Sequence, residues 1–270
     1  ITYADYYGGD AGRNIDLVTL EPLHTFPAPP QKKKYLKPDV IKLEKGAVPR
    51  ILFVRGLWAT FQGVDEALQK IGEVEVVNGW VKRSAFGETL GNFPASYEEL
   101  LSYDAIILAN VSGEMLSDVG QEMMADYLKA GGGVLLLSGD RAYGQADFGN
   151  VNFTELLPAG FKSGGDYGRL PSPSSLRTMG EHALVKGINF PADKMVLYSH
   201  QIMPKPDAAI VLQYEDGAPA ALVNPPGKPR VALVTALPFG RAPDDKELYF
   251  KDDSWHQFMG RLLTWLAGKD

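Results

Sequence analysis

"GGGVLLLSGDRAYGQADFGN", residues 131–150, is the stretch on which the reading of this chain turns. A triple glycine closes a helix, Val134–Leu137 is an unbroken apolar run of strand length, and Ser138-Gly139-Asp140-Arg141 opens a polar, glycine-dotted loop. An apolar run without alternation marks a strand covered on both faces, as in a parallel sheet flanked by helices. The helix before it is expected over 116–133, with Ser117 as N-cap and Met124, Tyr127 and Leu128 along one face. In many α/β enzymes the turn after such a strand carries the nucleophile. Ser138 and its neighbours are therefore the first candidates for chemistry.

Upstream the same rhythm repeats. "RILFVRG" (50–56) is a strand ending in glycine, and "VDEALQKIG" (64–72) sets Val64, Leu68 and Ile71 at helical spacing. "EVEVVNGW" (73–80) reads as a strand, "SYEELLSYD" as a short helix, and "AIILANV" as the next strand. Strands and helices alternating at short spacings predict an α/β fold with a mostly parallel sheet and helices on both faces. Ligands in such sheets sit at the carboxyl ends of the strands, so the loops after Val54, Ala109 and Leu137 are the places to look.

Downstream, residues 145–194 are loop-rich. "SGGDYGRLPSPSS" reads as a mobile surface excursion because glycine and proline interrupt any regular element. A strand-rich extension follows, with "KMVLYSH", "AAIVLQYEDG", "PAALVN" and "RVALVTAL" as strands and "NPPGKP" as a hairpin-type connection. An amphipathic helix over 254–268 closes the chain, with Ser254 as its expected N-cap and Phe258, Leu262 and Trp265 as its apolar stripe. Residues 1–48 differ from the rest, being aromatic, glycine-rich and broken by "PAPP". They are expected to form an N-terminal arm with an edge strand at "IDLVTLEPL", leaving 49–270 as the α/β domain.

The 270 residues, 45% hydrophobic and 22% charged, suit one large domain with an appendage. A formal charge of −6 argues against nucleic acid as a partner. The basic run "QKKKYLK" (31–37) reads as a solvated linker. No apolar run approaches the roughly 18–20 residues of a membrane span. The absence of cysteine removes thiol catalysis, disulfides and thiolate metal sites. No Gly-x-Gly-x-x-Gly follows the first strand and no P-loop occurs, so neither a nucleotide nor any other cofactor is expected. A start at Ile1 fits a removed signal peptide, a domain of a longer protein or a trimmed chain; it tilts the expectation towards an exported, extracytoplasmic bacterial protein, with the cytoplasm left open.

With these elements placed, "DAIILAN", "YLKAGGG", "VLLLSGDRAYG", "ADFGNVNFTELLP" and the final "SWHQFMGRLLTWLAG" resemble the class I glutamine amidotransferase-like superfamily. Within it, the likeness is to amidotransferase-like domains related to trehalose-utilisation proteins, and it covers residues 49–268. The resemblance implies a flavodoxin-like sheet. It also implies a cysteine in a Gly-x-Cys-x-Gly elbow after this strand and a His-x-Glu after a late one. Here Ser138 falls at or next to the cysteine position, flanked by Leu136 and Asp140 instead of glycines. His200 is followed by Gln201-Ile202 and His256 by Gln257-Phe258. Glutaminase chemistry is therefore not expected.

A serine site remains as an alternative, with Ser138 as nucleophile, His200 as base and Asp140 or Glu114 as the orienting acid. Against it stands the plainer reading of Ser138 as a small polar residue closing a strand. Trp58, Arg141 and Tyr143 are candidates for ligand contacts, Arg141 for an anion and Trp58, beside Phe61, for a sugar or a partner. His182 in "MGEHALVKGI" and His256 read as structural. The acidic run 244–253 lacks calcium-loop spacing and reads as a solvated loop, so no metal is expected. The leading expectation is a non-catalytic amidotransferase-like domain that binds a protein partner, a second copy of itself or a small-molecule or sugar ligand. The alternative is a hydrolase or carbohydrate-processing enzyme centred on Ser138 and His200.

Overall fold

The computed structural model describes residues 36–84, 87–162 and 164–269. The expected edge strand in "IDLVTLEPL", His24 and most of the 1–48 arm lie outside them. The described residues fall within one compact unit, Tyr35–Asp270.

The first half builds the doubly covered sheet. Its elements are β1 (Arg50–Arg55), α1 (Val64–Lys70), β2 (Glu75–Ser84), β3 (Gly87–Gly91), α2 (Tyr97–Leu101), β4 (Ala105–Ala109), α3 (Asp118–Lys129) and β5 (Gly133–Leu137). Then come β6 (Ala159–Phe161), β7 (Tyr167–Ser174), β8 (Arg177–Thr178), β9 (Lys194–His200), β10 (Ile202–Pro204), β11 (Ala209–Gln213) and β12 (Pro219–Val223). The chain ends with β13 (Val231–Val234), β14 (Ala236–Leu237), β15 (Glu247–Leu248) and α4 (Asp253–Leu266).

Among the described residues, nine strands form the main sheet in the order β3-β2-β1-β4-β5-β13-β12-β11-β8. The run from β2 to β13 is parallel, while β3, β12, β11 and β8 add antiparallel pairs at the flanks. The central strands are buried at every position because each face is covered. Ile51, Phe53, Ile107, Leu135 and Leu137 pack towards α1 and α4, with Val64, Leu68, Phe258 and Leu262. Leu52, Val54, Ile106, Leu108 and Leu136 pack the other way, onto α2, α3 and the loop carrying Phe148 and Phe153. The expected flavodoxin-like α/β architecture is the one found.

A smaller sheet, β14-β9-β15 with β7 also on β9, stands beside the main one. It is continuous with it, since only Thr235 separates β13 from β14. Residues 145–194 correct an expectation here. "GDYGRLPSPSS" is not a free excursion: Tyr167, Gly168 and Arg169 pair with His200, Ser199 and Tyr198 of β9. Pro171 and Pro173 are tolerated because they fall in the gap between Arg169 and Ser174 where the pairing is interrupted. The strand read at 73–80 is also longer, running to Ser84 and turning back as β3. The cap of the last helix is Asp252, which accepts the Ser254 N–H at 2.9 Å, and not Ser254. Ser117 caps α3 as expected, accepting from the Gly120 N–H.

Residues 36–48 lie along the body. Leu43 is buried, Glu44 N–H donates to Leu101 O at 2.9 Å, and Lys37 of the basic run pairs with Asp126 at 2.6 Å. Among the described residues no helix is long and apolar enough to cross a membrane.

Candidate functional site

The chain leaves β1 outward to β2 and later returns to β4 on the other side, so the loops after β1 and β4 diverge and open a crevice at the carboxyl edge. Three loops meet there, and Asn110 ties them together. Gly56 N–H donates to Ala109 O at 2.8 Å, and a Cβ at Gly56 would lie 2.0 Å from Asn110 O, so only glycine lets the β1 loop lie on the end of β4. Asn110 itself is buried with φ of 52°, a left-handed backbone that asparagine adopts more readily than most residues. Its Nδ2 donates to Leu57 O and to Asp140 Oδ1, both at 2.8 Å, while its Oδ1 accepts the Arg141 N–H at 2.6 Å. A Cβ on Gly139 would stand 2.1 Å from this side chain. The glycine after β5 thus makes room for Asn110 and does not lift a nucleophile clear of the sheet.

Ser138 is fully buried, and its hydroxyl donates to Ala236 O in β14. Its own carbonyl accepts from Gln62 Nε2 at 2.9 Å. Its φ is not positive, unlike that of Asn110 or Tyr143 close by. His200, at the end of β9, meets the other side of the loop: Nε2 lies 2.8 Å from Gly139 O and Nδ1 3.1 Å from Asp166 Oδ2. The Gly139 N–H also faces Nε2, at 3.5 Å, so a ring with its hydrogen on Nδ1 donates to Asp166 and accepts from Gly139. The side chains of His200 and Asp166 are wholly excluded from solvent. Asp166 accepts twice more, from Gly144 N–H at 3.0 Å and Gln145 N–H at 2.7 Å. A histidine and a carboxylate therefore fasten the loop 139–145 to β9.

The sequence candidates are thus only partly brought together. Ser138 and His200 both contact the loop, yet the serine hydroxyl is turned to β14 and the imidazole to Gly139 and Asp166. Asp140 is not the acid partner, since Asn110 holds it, and Glu114 is exposed on a short turn. Tyr143, a candidate for ligand contact, lies inside the protein. It is buried, its hydroxyl lies 2.8 Å from Leu136 O and 2.5 Å from Val234 O and accepts the Val234 N–H, and its ring meets His200 edge-on at 4.8 Å. Burial pushes that phenol's pKa well up. His182 Nδ1 accepts the Leu184 N–H and His256 Nε2 faces Phe250 O. The acidic run is in part paired off, Glu247 with Lys194 and Asp253 with Lys70. No group of ligating side chains suited to a metal occurs among the described residues.

Trp58 and Arg141 do reach solvent at this edge. Trp58, at φ 67°, is 45% exposed and with Phe61, Phe239 and Phe250 walls a groove of about 400 Å³. Arg141 lines a separate cavity of about 280 Å³ at the crevice, with Arg55, Arg83 and Glu88. Asp166, Asn110, Arg83 and Glu88 were not found by sequence reasoning. Asp166 sits inside the glycine- and proline-rich stretch read as free loop, whereas Asn110, directly after an apolar strand, gave a usable signal.

Fold and site together define a flavodoxin-like α/β protein whose carboxyl edge lacks the cysteine elbow. The family model described as a domain of unknown function, DUF7408, matches residues 89–238, more than half of the chain, and the chain belongs to that family. No curated protein matches it. Among solved structures it is similar to the cytoplasmic protein STM1381 of Salmonella typhimurium LT2, with a TM-score of 0.64, 16% identity, and 80% of this chain and 99% of that one covered. It is also similar to the cytoplasmic protein STM3548 of Salmonella typhimurium, with a TM-score of 0.62, 18% identity, and coverage of 80% and 98%. A third, described as a ThuA-like protein, comes from Parabacteroides merdae, with a TM-score of 0.57, 14% identity, and coverage of 82% and 90%. Identities this low show shared fold alone. At that level the likeness to a ThuA-like protein holds as a likeness of fold.

Proposed function

We propose that the chain is a non-catalytic, amidotransferase-like binding module, with 49–270 as the domain and 1–48 as an arm. One observation carries this reading: the hydrogen-bonding atoms of Ser138, His200 and Asp166 are all committed to the protein's own backbone or to one another, out of contact with solvent. A serine nucleophile needs a base on its hydroxyl and an open face for the acyl group. Here the hydroxyl donates to a backbone carbonyl and the histidine is spent on loop anchoring. The half-exposed aromatic strip of Trp58 and Phe61 and the arginine-lined cavity support a binding or assembly role at the same edge.

The test is chemical. Incubated with a fluorophosphonate probe and assayed on glutamine, p-nitrophenyl esters and p-nitrophenyl glycosides, the full chain should show no adduct at Ser138. Any residual turnover should be the same in Ser138→Ala. A probe adduct on Ser138 by mass spectrometry, or hydrolysis that disappears in Ser138→Ala while the variant remains folded, would replace this reading with a hydrolase.

A further inference from the structure

The cavity beside the switch point has a chemistry that the buried latch does not use. It lies between the loop after β1, the end of β4, the loop after β5 and the β2–β3 hairpin, and three arginines but one carboxylate line it. Arg55 is fully committed. Its Nε donates to Asn78 at 2.7 Å, its terminal nitrogens grip Asp65 at 2.8 and 2.5 Å, and its guanidinium lies over the Phe53 ring. It forms a neutralised wall. Arg83 and Arg141 share Glu88, unequally. Arg83 Nε is 2.7 Å from Glu88 Oε1, but Arg141 Nη1 is 3.6 Å from Oε2, too far for a good hydrogen bond. Both guanidinium groups are about half exposed, while Glu88 is mostly covered. Once Asp65 and Glu88 are counted against the three arginines, one positive charge is left over. Asp140, beside Arg141 in the chain, does not line the cavity and accepts from Asn110 Nδ2.

We infer that this cavity binds a small organic oxyanion, a carboxylate or phosphate monoester, gripped by Arg141 and Arg83. A guanidinium presents parallel N–H donors at the spacing of carboxylate and phosphate oxygens, and that of Arg141 has no such partner among the described residues. Glu88 acts as a placeholder, keeping Arg83 at the cavity mouth. Leu57, Val81 and Met115 give the remaining wall an apolar surface for the organic part of the ligand. About 280 Å³ falls just below the usual size of ligand pockets, roughly 300–1,000 Å³, so the occupant is a small metabolite. In a chain of net charge −6, a cavity at the switch point lined by three arginines and one carboxylate favours anions over cations. The inference deepens the binding role proposed above and rests on it.

The experiment is a titration of the full chain at constant ionic strength, by calorimetry and thermal shift, with malonate and with inorganic phosphate as probes and chloride as the control. Saturable binding of malonate or phosphate is expected, weakened at least tenfold in Arg141→Ala and in Arg83→Ala, and partly restored by Arg141→Lys. Preference for malonate identifies a carboxylate ligand, and preference for phosphate a phosphoryl one. Both side chains are half exposed, so the variants should keep the parent's melting temperature in chloride. Absence of saturable binding by both probes, or binding unchanged in the two alanine variants, overturns the inference. An empty titration with Ser138 unlabelled sinks the oxyanion alone, whereas a labelled Ser138 sinks the non-catalytic reading whatever the titration gives.

Discussion

Asp166 makes three hydrogen-bond contacts across the candidate site. One oxygen accepts from Gln145 N–H; the other accepts from Gly144 N–H and faces His200. Gly144 is there because no side chain fits: a Cβ would lie 1.6 Å from Lys162 O. The loop's position is thus fixed by a carboxylate on one side and by a backbone contact on the other. Replacing Asp166 with asparagine leaves one acceptor oxygen and puts an amide N–H₂ against groups that need acceptors. Hydrogen bonds to a buried charge are worth roughly 1.5–3 kcal/mol each, and a buried group left unpaired costs about as much. Asp166→Asn should therefore lower the unfolding free energy by about 2–3 kcal/mol. In urea the midpoint should fall with an unchanged slope. A loss below about 0.5 kcal/mol would mean that the latch is not structural.

At the scale of elements, α3 and β7 show what a sequence can and cannot reveal. α3 announces itself: Ser117 caps it, Met124, Tyr127 and Leu128 are buried along it, and the Gly131–Gly133 run ends it. The cap is open to a direct test. Ser117→Ala removes the acceptor for the Gly120 N–H and should cost about 1 kcal/mol, whereas Ser117→Asp should cost almost nothing and add a favourable charge to the helix N-terminus. Equal melting temperatures for the two variants would refute that. The central strands were just as legible, because burial on both faces leaves an unbroken apolar run. β7 and β3 were not. Both are flank strands, and with only one covered face or an interrupted pairing they carry no apolar signature that survives the glycines and prolines in them. The site inherits this difference. Ser138, Asp140 and His200 lie at or just after the ends of apolar strands and could be marked, but Asp166, the partner of His200, and Glu88, the partner of Arg83 and Arg141, sit on or next to elements specified only by long-range pairing.

At the scale of the whole molecule, two peripheral tethers make its stability depend on acidity in two separate windows. His182 Nδ1 accepts the Leu184 N–H in the turn that Arg261 of α4 also holds, through Lys186 O at 2.6 Å. Burial lowers this histidine's pKa from its ordinary 6.5. The unfolded chain then takes up the proton first, so stability is full above pH about 6.5 and falls as pH drops below it, until the folded histidine also titrates. Asp126 is the other tether, linking α3 to Tyr97 of α2 at 2.7 Å and to Lys37 at 2.6 Å. Burial raises its pKa, but the hydrogen bonds from Lys37 and Tyr97 outweigh that and hold the carboxyl below its ordinary 3.8. Its contribution is present above pH about 3.8 and is lost as pH falls through the folded value. Asp207 and Asp253 are lowered too, by Lys228 and Lys70, but these are surface pairs that salt screens. His182→Asn keeps an acceptor for the N–H two residues on and cannot titrate, so it should flatten stability between pH 7 and 5 without touching the acid limb. Asp126→Asn, measured in high salt, should lower stability at neutral pH and shrink the loss below pH 4, leaving the upper window as it was. Urea denaturation across pH 3–8 reads both, and a single window abolished by either variant alone would show that the two tethers are not independent.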